Sequence, residues 1–240
     1  MPTVTFPEIA VVRITDKTKE HLHATYYGIS PFNRTQQYIA ILETTVQDRL
    51  PTREDVAKLG LIDLKTKEFI PIAETRAWNF QQGCMAHWLD ENKIVFNDAR
   101  EGKFVSIIKD IASGEEKIIP QPVSAVFPEK KMALSINYAR LRLARPDYGY
   151  DGEGQDPKAD DPYPDDDGLF VVDMESGKSE LILSIYEVKE FLGLPEDIDS
   201  RPLMRFEHTL FSKDGKRIFF LARVQRKGGG FHTASMTVGS

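Results

Sequence analysis

The chain has 240 residues, 41% of them hydrophobic and 28% charged, a globular composition that excludes disorder along its whole length and supports a substantial core. A formal charge of -6, with no local basic patch, gives no attraction to phosphate backbones, so a nucleic-acid partner is not expected. A single cysteine, Cys84, rules out an intrachain disulfide, and no stretch has the length of a membrane span or the look of an export signal; a soluble cytoplasmic protein without a membrane partner is expected.

In chain order, the first elements are strand-like. His21-Leu22-His23 puts two imidazoles on one side of a strand, which suits either a metal pair or an ordinary edge strand. Ile29 to Leu42 reads as a weak inner hairpin, and Leu61 to Ile70, with Asp63 before its turn, as an outer one. Next comes Arg76-Ala77-Trp78-Asn79-Phe80-Gln81-Gln82-Gly83. Its indole and amides suit the face and hydroxyls of a sugar, and equally suit buried hydrogen bonds that lock neighbouring elements.

Trp88 to Asn97 repeats the inner pattern and runs into Asn97-Asp98-Ala99-Arg100. Ile107 to Ile118 is a second outer hairpin, whose Ser113-Gly114 supplies the positive φ of a tight turn. After a third inner hairpin, Ser124 to Ile136, come Arg140-Leu141-Arg142 and Tyr148-Gly149-Tyr150. With Asn97 and Asp98 these guanidinium and phenol groups suit a carboxylate ligand; pairing of Asp98 with Arg100 or another arginine is the plainer alternative. Residues 147–167 are rich in Asp, Gly and Pro and read as a long solvated loop, and Asp160, Asp161, Asp165, Asp166 and Asp167 lack the spacing of a calcium loop.

Phe170 to Leu181 is the third outer hairpin. Ser184-Ile185-Tyr186-Glu187 is a capping box opening a short helix over 185–192, with Ile185, Val188, Phe191 and Leu192 as its apolar face. Glu207-His208 precedes the fourth inner hairpin, Phe211 to Phe220; His208 reads as a metal ligand, a general base or a packing imidazole. Arg223 lies at the far end of that hairpin and can return to the same mouth. Gly228-Gly229-Gly230 is not followed by Lys-Ser/Thr, no Gly-x-Ser-x-Gly occurs, and Phe231 to Val238 is a last strand.

Inner and outer hairpins alternate in fixed order, which a β-sandwich gives no reason for. Asp63 to Asp110 spans 47 residues and Asp110 to Asp173 spans 63, the second interval carrying the acidic run. The expected fold is all-β, one β-propeller domain over residues 1–240 built of four-stranded blades. An arc of about three and a half blades would leave apolar flanks in water, so the chain is expected to be the N-terminal portion of a longer propeller. Trp78, Asn79, Gln81 and Gln82 are expected between the first two blades with polar groups toward the channel, and His208 at the start of the innermost strand of the last blade.

Several segments resemble the oligogalacturonate-lyase-like bacterial β-propellers, relatives of the TolB propeller domain. They are Tyr26-Tyr27-Gly28, Thr75 to Met85, Phe96-Asn97-Asp98, Arg140-Leu141, Arg145 to Tyr150, and His208 to Gly215. The resemblance implies a manganese ion held by His and Gln near the channel, with a His and an Arg assisting β-elimination from a uronate. Only His208 sits in a context like one of those His positions, which makes it the candidate metal ligand and, with Arg223, a catalytic candidate; the other ligands would lie beyond Ser240. One reading is a propeller that binds an acidic saccharide through Trp78, Asn79, Gln81, Gln82, Asn97, Asp98, Arg140 and Tyr150 and, at full length, cleaves it. The other is a non-catalytic scaffold for a protein partner. No catalysis is expected from this chain alone, because one ligand cannot build a metal site.

Overall fold

The computed structural model describes residues 11–15, 18–26, 28–152, 156–194, 203–225 and 231–239. Among these, strands that follow one another in sequence pair antiparallel into four sheets. The first is β1 (Glu20–His23), β2 (Tyr38–Thr44), β3 (Ala57–Asp63) and β4 (Phe69–Thr75). The second is β5 (His87–Trp88), β6 (Lys93–Arg100), β7 (Lys103–Asp110) and β8 (Glu116–Ile119). The third is β9 (Ala125–Phe127), β10 (Met132–Ser135), β11 (Gly168–Asp173) and β12 (Ser179–Ser184), and the fourth β13 (Arg205–Phe211), β14 (Arg217–Gln225) and β15 (Phe231–Gly239). Helix α1 (Tyr138–Ala144) stands between β10 and β11, and α2 (Ile185–Phe191) between β12 and β13. No helix among the described residues is long and apolar enough to cross a membrane.

The three outer hairpins share one local device. The carboxylates of Asp63, Asp110 and Asp173 each accept two backbone N–H groups two and three residues on, from Lys65 and Thr66, Ala112 and Ser113, and Glu175 and Ser176. Those donors hold all three carboxyls below their usual range. The turn is completed at positive φ by Lys67 (65°), Gly114 (81°) and Gly177 (75°).

Each inner sheet is buried on both faces. In β6, Ile94 and Phe96 join Leu42, Leu59, Leu61 and Trp78 of the first sheet and its exit, while Val95 packs with Ala133 and Val172 of the third. Strand β10 divides likewise, Ala133 toward the second sheet and Leu134 toward Phe206 and Phe220 of the fourth. Alternate side chains of one strand thus serve two different cores. That is the arrangement of sheets standing face to face in series, each covered by its neighbours, and not of a two-layer sandwich with an outer face in water.

Four sequence expectations change. The hairpin read at Ile29 to Leu42 is reduced to one bridge, Phe32 to Ile39, because β1 takes most of the edge of β2. Helix α1 was not foreseen; Asn137 caps it by accepting the Arg140 N–H. In α2 the capping box forms and Ile185 and Val188 are buried, but Phe191 is 77% exposed. It lies six residues beyond Ile185, about 120° round the helix.

The largest change concerns residues 147–152 and 156–167, an irregular loop that is only partly solvated: Asp160, Asp161, Asp165 and Asp166 are exposed, but Asp156 and Asp167 are buried. Arg140 of α1 is 1% exposed and Asp156 3%, and their ion pair is 3.1 Å long. The rest of the guanidinium donates to the carbonyls of Met204, Lys158, Asp161 and Pro162. Asn137 Nδ2 links Asp156 and Asp167, and burial raises the Asp167 carboxyl above its usual value. Residues 156–162 wrap a buried cation, so their backbone is held despite having no regular structure. Replacing Arg140 with Ala would leave Asp156 buried and uncompensated, and is expected to cost about 3–5 kcal/mol. Urea denaturation should show this, and deleting 152–164 should destabilise in the same sense.

Candidate functional site

Five chain segments meet around a cavity of about 310 Å³: Tyr26, Gly28 and Ile29 after β1, Gln82, Met85 and His87 leading into β5, Ser124 to Phe127 at β9, Ile136 and Tyr138 between β10 and α1, and His208 to Lys213 in and after β13. Gly83 lets the first two close up. It has φ +58°, and a Cβ there would meet the Ala24 backbone at 2.5 Å. In its absence Cys84 and Ala86 donate their N–H groups to the Ala24 carbonyl at 3.2 and 2.9 Å.

His208 reaches this cavity through a bulge. Pairing jumps from Glu207–Leu221 to Leu210–Phe219, so His208 and Thr209 oppose the single residue Phe220, and His208 takes φ 59°. The second sheet repeats the device, with Cys84 bonded to Asn97, His87 paired with Val95, and Met85 at φ 52°. A left-handed non-glycine residue costs of order 1–3 kcal/mol, and the surrounding ladder must hold it. His208 is therefore in the middle of β13, not at its start.

The imidazole is held on every side. Nε2 lies 2.9 Å from the Tyr26 hydroxyl and Nδ1 3.4 Å from Glu207 Oε2, while the rings of Tyr26 and Tyr148 pack against it at 5.6 and 5.7 Å. Glu207 is fully buried and also meets Arg223 at 3.0 Å and Arg205 at 3.5 Å. Arg145 pairs with Asp147 at 2.8 Å and covers the Tyr148 ring at 4.3 Å. Burial raises the Glu207 carboxyl, but His208, Arg205 and Arg223 outweigh it and hold the group below its usual value. Burial, helped by Arg145 and Arg223, pushes the Arg205 guanidinium down to about 10 against the pull of Glu207. The cluster contains three guanidinium groups and two carboxylates, a local excess of positive charge behind the cavity wall.

Of the other candidates, only Gln82 lines the cavity. It is 4% exposed, and its Oε1 has no hydrogen-bond partner. Trp78 is buried and donates to the Asp55 carbonyl at 2.9 Å; Asn79 caps its own turn through the Gln81 and Gln82 N–H groups and donates to the Tyr148 carbonyl; Gln81 is exposed. Asn97 is consumed by Val123, Ser106 and Tyr150, which stacks on Tyr138 at 4.3 Å. Asp98 binds the Arg76 N–H and, at 2.6 Å, Arg100. Arg140 serves Asp156. Amide-, carboxylate- and guanidinium-rich segments here mostly satisfy buried backbone and each other, as the plainer alternative held. Arg223 acts on Glu207 and does not line the cavity.

His87 lines the cavity although nothing in its sequence context marked it. Its signal was only the bulge before Trp88, legible once β6 was known. Among the described residues no group of three or more His, Cys, Asp or Glu side chains is placed to hold a metal ion. Both ring nitrogens of His208 face protein partners, and His21 lies near Glu43 at 3.6 Å in another sheet. The donor set among the described residues does not fit the manganese that the resemblance implies.

No protein-family model and no curated protein matches the chain. Solved structures do. Oligogalacturonate lyase from Vibrio parahaemolyticus aligns with TM-score 0.53 and 12% identity over 92% of this chain and 55% of that one. An oligogalacturonate lyase in complex with manganese aligns with TM-score 0.50 and 12% identity over 93% of this chain and 69% of that one. TolB from Acinetobacter baumannii gives TM-score 0.40 at 11% identity. The fold is that of a β-propeller. This chain spans little more than half the length of the Vibrio lyase.

Burial lowers the His87 pKa from 6.5 to about 4, opposed by its bond to the Met85 carbonyl. Unfolded His87 binds its proton near pH 6.5 and the folded form only near 4, so stability should hold above pH 6.5 and fall as the pH drops toward 4. The loss is expected to reach at most about 3 kcal/mol. Denaturation of His87→Gln across this range should show a flatter profile than the unsubstituted protein.

Proposed function

We propose that the protein binds an acidic saccharide, with a uronate carboxylate seated in the cavity beside His208. The observation that carries this reading is the sign of the lining. Lys213 and His208 line the cavity and no Asp or Glu does, in a chain of net charge -6. The cavity between the second and third sheets, by contrast, is lined by Asp90, Asp110, Glu115, Glu116 and Glu175 against Lys93, Lys117 and Lys131. The three-guanidinium cluster behind His208 adds to the attraction for an anion. Tyr26, Phe127 and Phe211 supply aromatic surface for the face of a sugar.

Likeness of fold to oligogalacturonate lyase supports the ligand class by analogy alone. Within this reading the four sheets are blades whose first strands surround the ligand, and the base of a β-elimination would be His208 with Glu207 orienting its ring. Arg223 then acts at one remove, by setting the charge on Glu207. A scaffold for a protein partner is the second reading, favoured by Tyr186 and Phe191, which stand 46% and 77% exposed on α2.

Calorimetry with galacturonate oligomers and with neutral galactose oligomers separates the two. Uronate is expected to bind with an affinity that falls as salt rises, and the neutral sugar to bind far more weakly. Arg223→Gln should weaken uronate binding about tenfold by reducing the cationic excess. Equal or absent binding of both sugars rejects the saccharide reading.

A further inference from the structure

Resting on that reading, we propose that the saccharide is mixed, a uronate joined to a neutral sugar, because the cavity beside His208 adjoins a second chamber of opposite charge. The second chamber measures about 700 Å³. Ile29 and His87 line both spaces, so the two adjoin along the inner surface of β5 and the segment after β1. His87 stands at the junction as a neutral imidazole, its Nδ1 bonded to the Met85 carbonyl at 2.7 Å.

Their linings differ in two respects. The first chamber carries Lys213 and His208 without a carboxylate, whereas the second carries Asp90 and Glu129 against the single cation Arg34. Arg34 is further drawn away by Glu91, outside the lining, at 3.8 Å. A second uronate would bring its carboxylate to a wall of net negative charge, and the repulsion operates within a Debye length of about 8 Å. Meanwhile Trp88 and Phe32 give the second chamber aromatic surface. The indole is fixed by its N–H bond to the Pro31 carbonyl at 3.0 Å, and Phe32 is 40% exposed. A rigid aromatic wall with hydrogen-bonding neighbours and an unfavourable field for anions suits a neutral pyranose. The selectivity is thus built from a favourable first chamber and a repulsive second one.

Binding constants for galacturonate, digalacturonate and galacturonosyl-rhamnose, measured by calorimetry on the whole chain, test this. Galacturonosyl-rhamnose is expected to bind about tenfold more tightly than galacturonate, and digalacturonate no more tightly than the monosaccharide. Trp88→Ala should remove the gain and leave galacturonate binding unchanged, since Trp88 does not line the first chamber. Because Trp88 also packs on the core, Glu129→Lys at an exposed position provides an independent arm: it should raise digalacturonate affinity selectively. Galacturonate binding with no gain for the mixed disaccharide, or digalacturonate binding the more tightly of the two disaccharides, overturns the second chamber and leaves the acidic-saccharide reading intact. Failure of all three sugars to bind overturns both.

Discussion

Burial of both faces of the inner sheets is the constraint from which the rest of the molecule follows. A strand such as β6 carries apolar side chains in both directions, Ile94 and Phe96 one way and Val95 the other. Each needs a neighbouring sheet to cover it, so the sheets stand in series with their first strands gathered together. Packing of this kind leaves strand ends and connections as the places where polar backbone must be satisfied without a ladder. The buried polar residues of the chain are concentrated there.

Asn97 and Arg140 show how that need is met. Asn97 bonds through both ends of its amide, accepting from Val123 and Ser106 and donating to the Val123 carbonyl and the Tyr150 hydroxyl, and so ties the second sheet to the connection that leads into the third. Arg140 gathers four carbonyls and one carboxylate, and converts the long acidic segment into a packed wall around α1. Fully satisfied networks of this kind specify one arrangement because any partial version leaves a buried charge or dipole unpaired. They also explain why groups of ligand-binding type lie outside the cavity.

The cavity is polar for a different reason. Bulges in two sheets turn Met85 and His208 from the regular ladder toward the shared space, and only the fourth sheet puts an ionisable side chain at that position. Behind it, Glu207 joins two arginines in one buried cluster. The resulting positive excess is not visible in the net charge of -6, to which acidic side chains such as Asp110, Glu115, Glu116 and Glu175, in another cavity, contribute. Field at a site depends on where charges stand and how well water screens them, not on their sum.

What the sequence determined by itself is local. Outer hairpins are legible because Asp63, Asp110 and Asp173 bond to backbone only two or three residues away, and the start of α2 because Ser184 and Glu187 cap each other within one turn. Alternating hairpins then suffice for an all-β repeat fold. Tertiary structure alone decided the site. Tyr26, Gln82, Ser124 and His208 meet only when four separate sheets are assembled, and whether Trp78, Asn79 or Arg140 faces a ligand or a carbonyl depends on partners such as Asp55, Tyr148 and Met204. Residue type states which hydrogen bonds a side chain is able to make; only the packed chain decides which partner arrives first and which group, like the buried Gln82 Oε1, is left without one among the described residues.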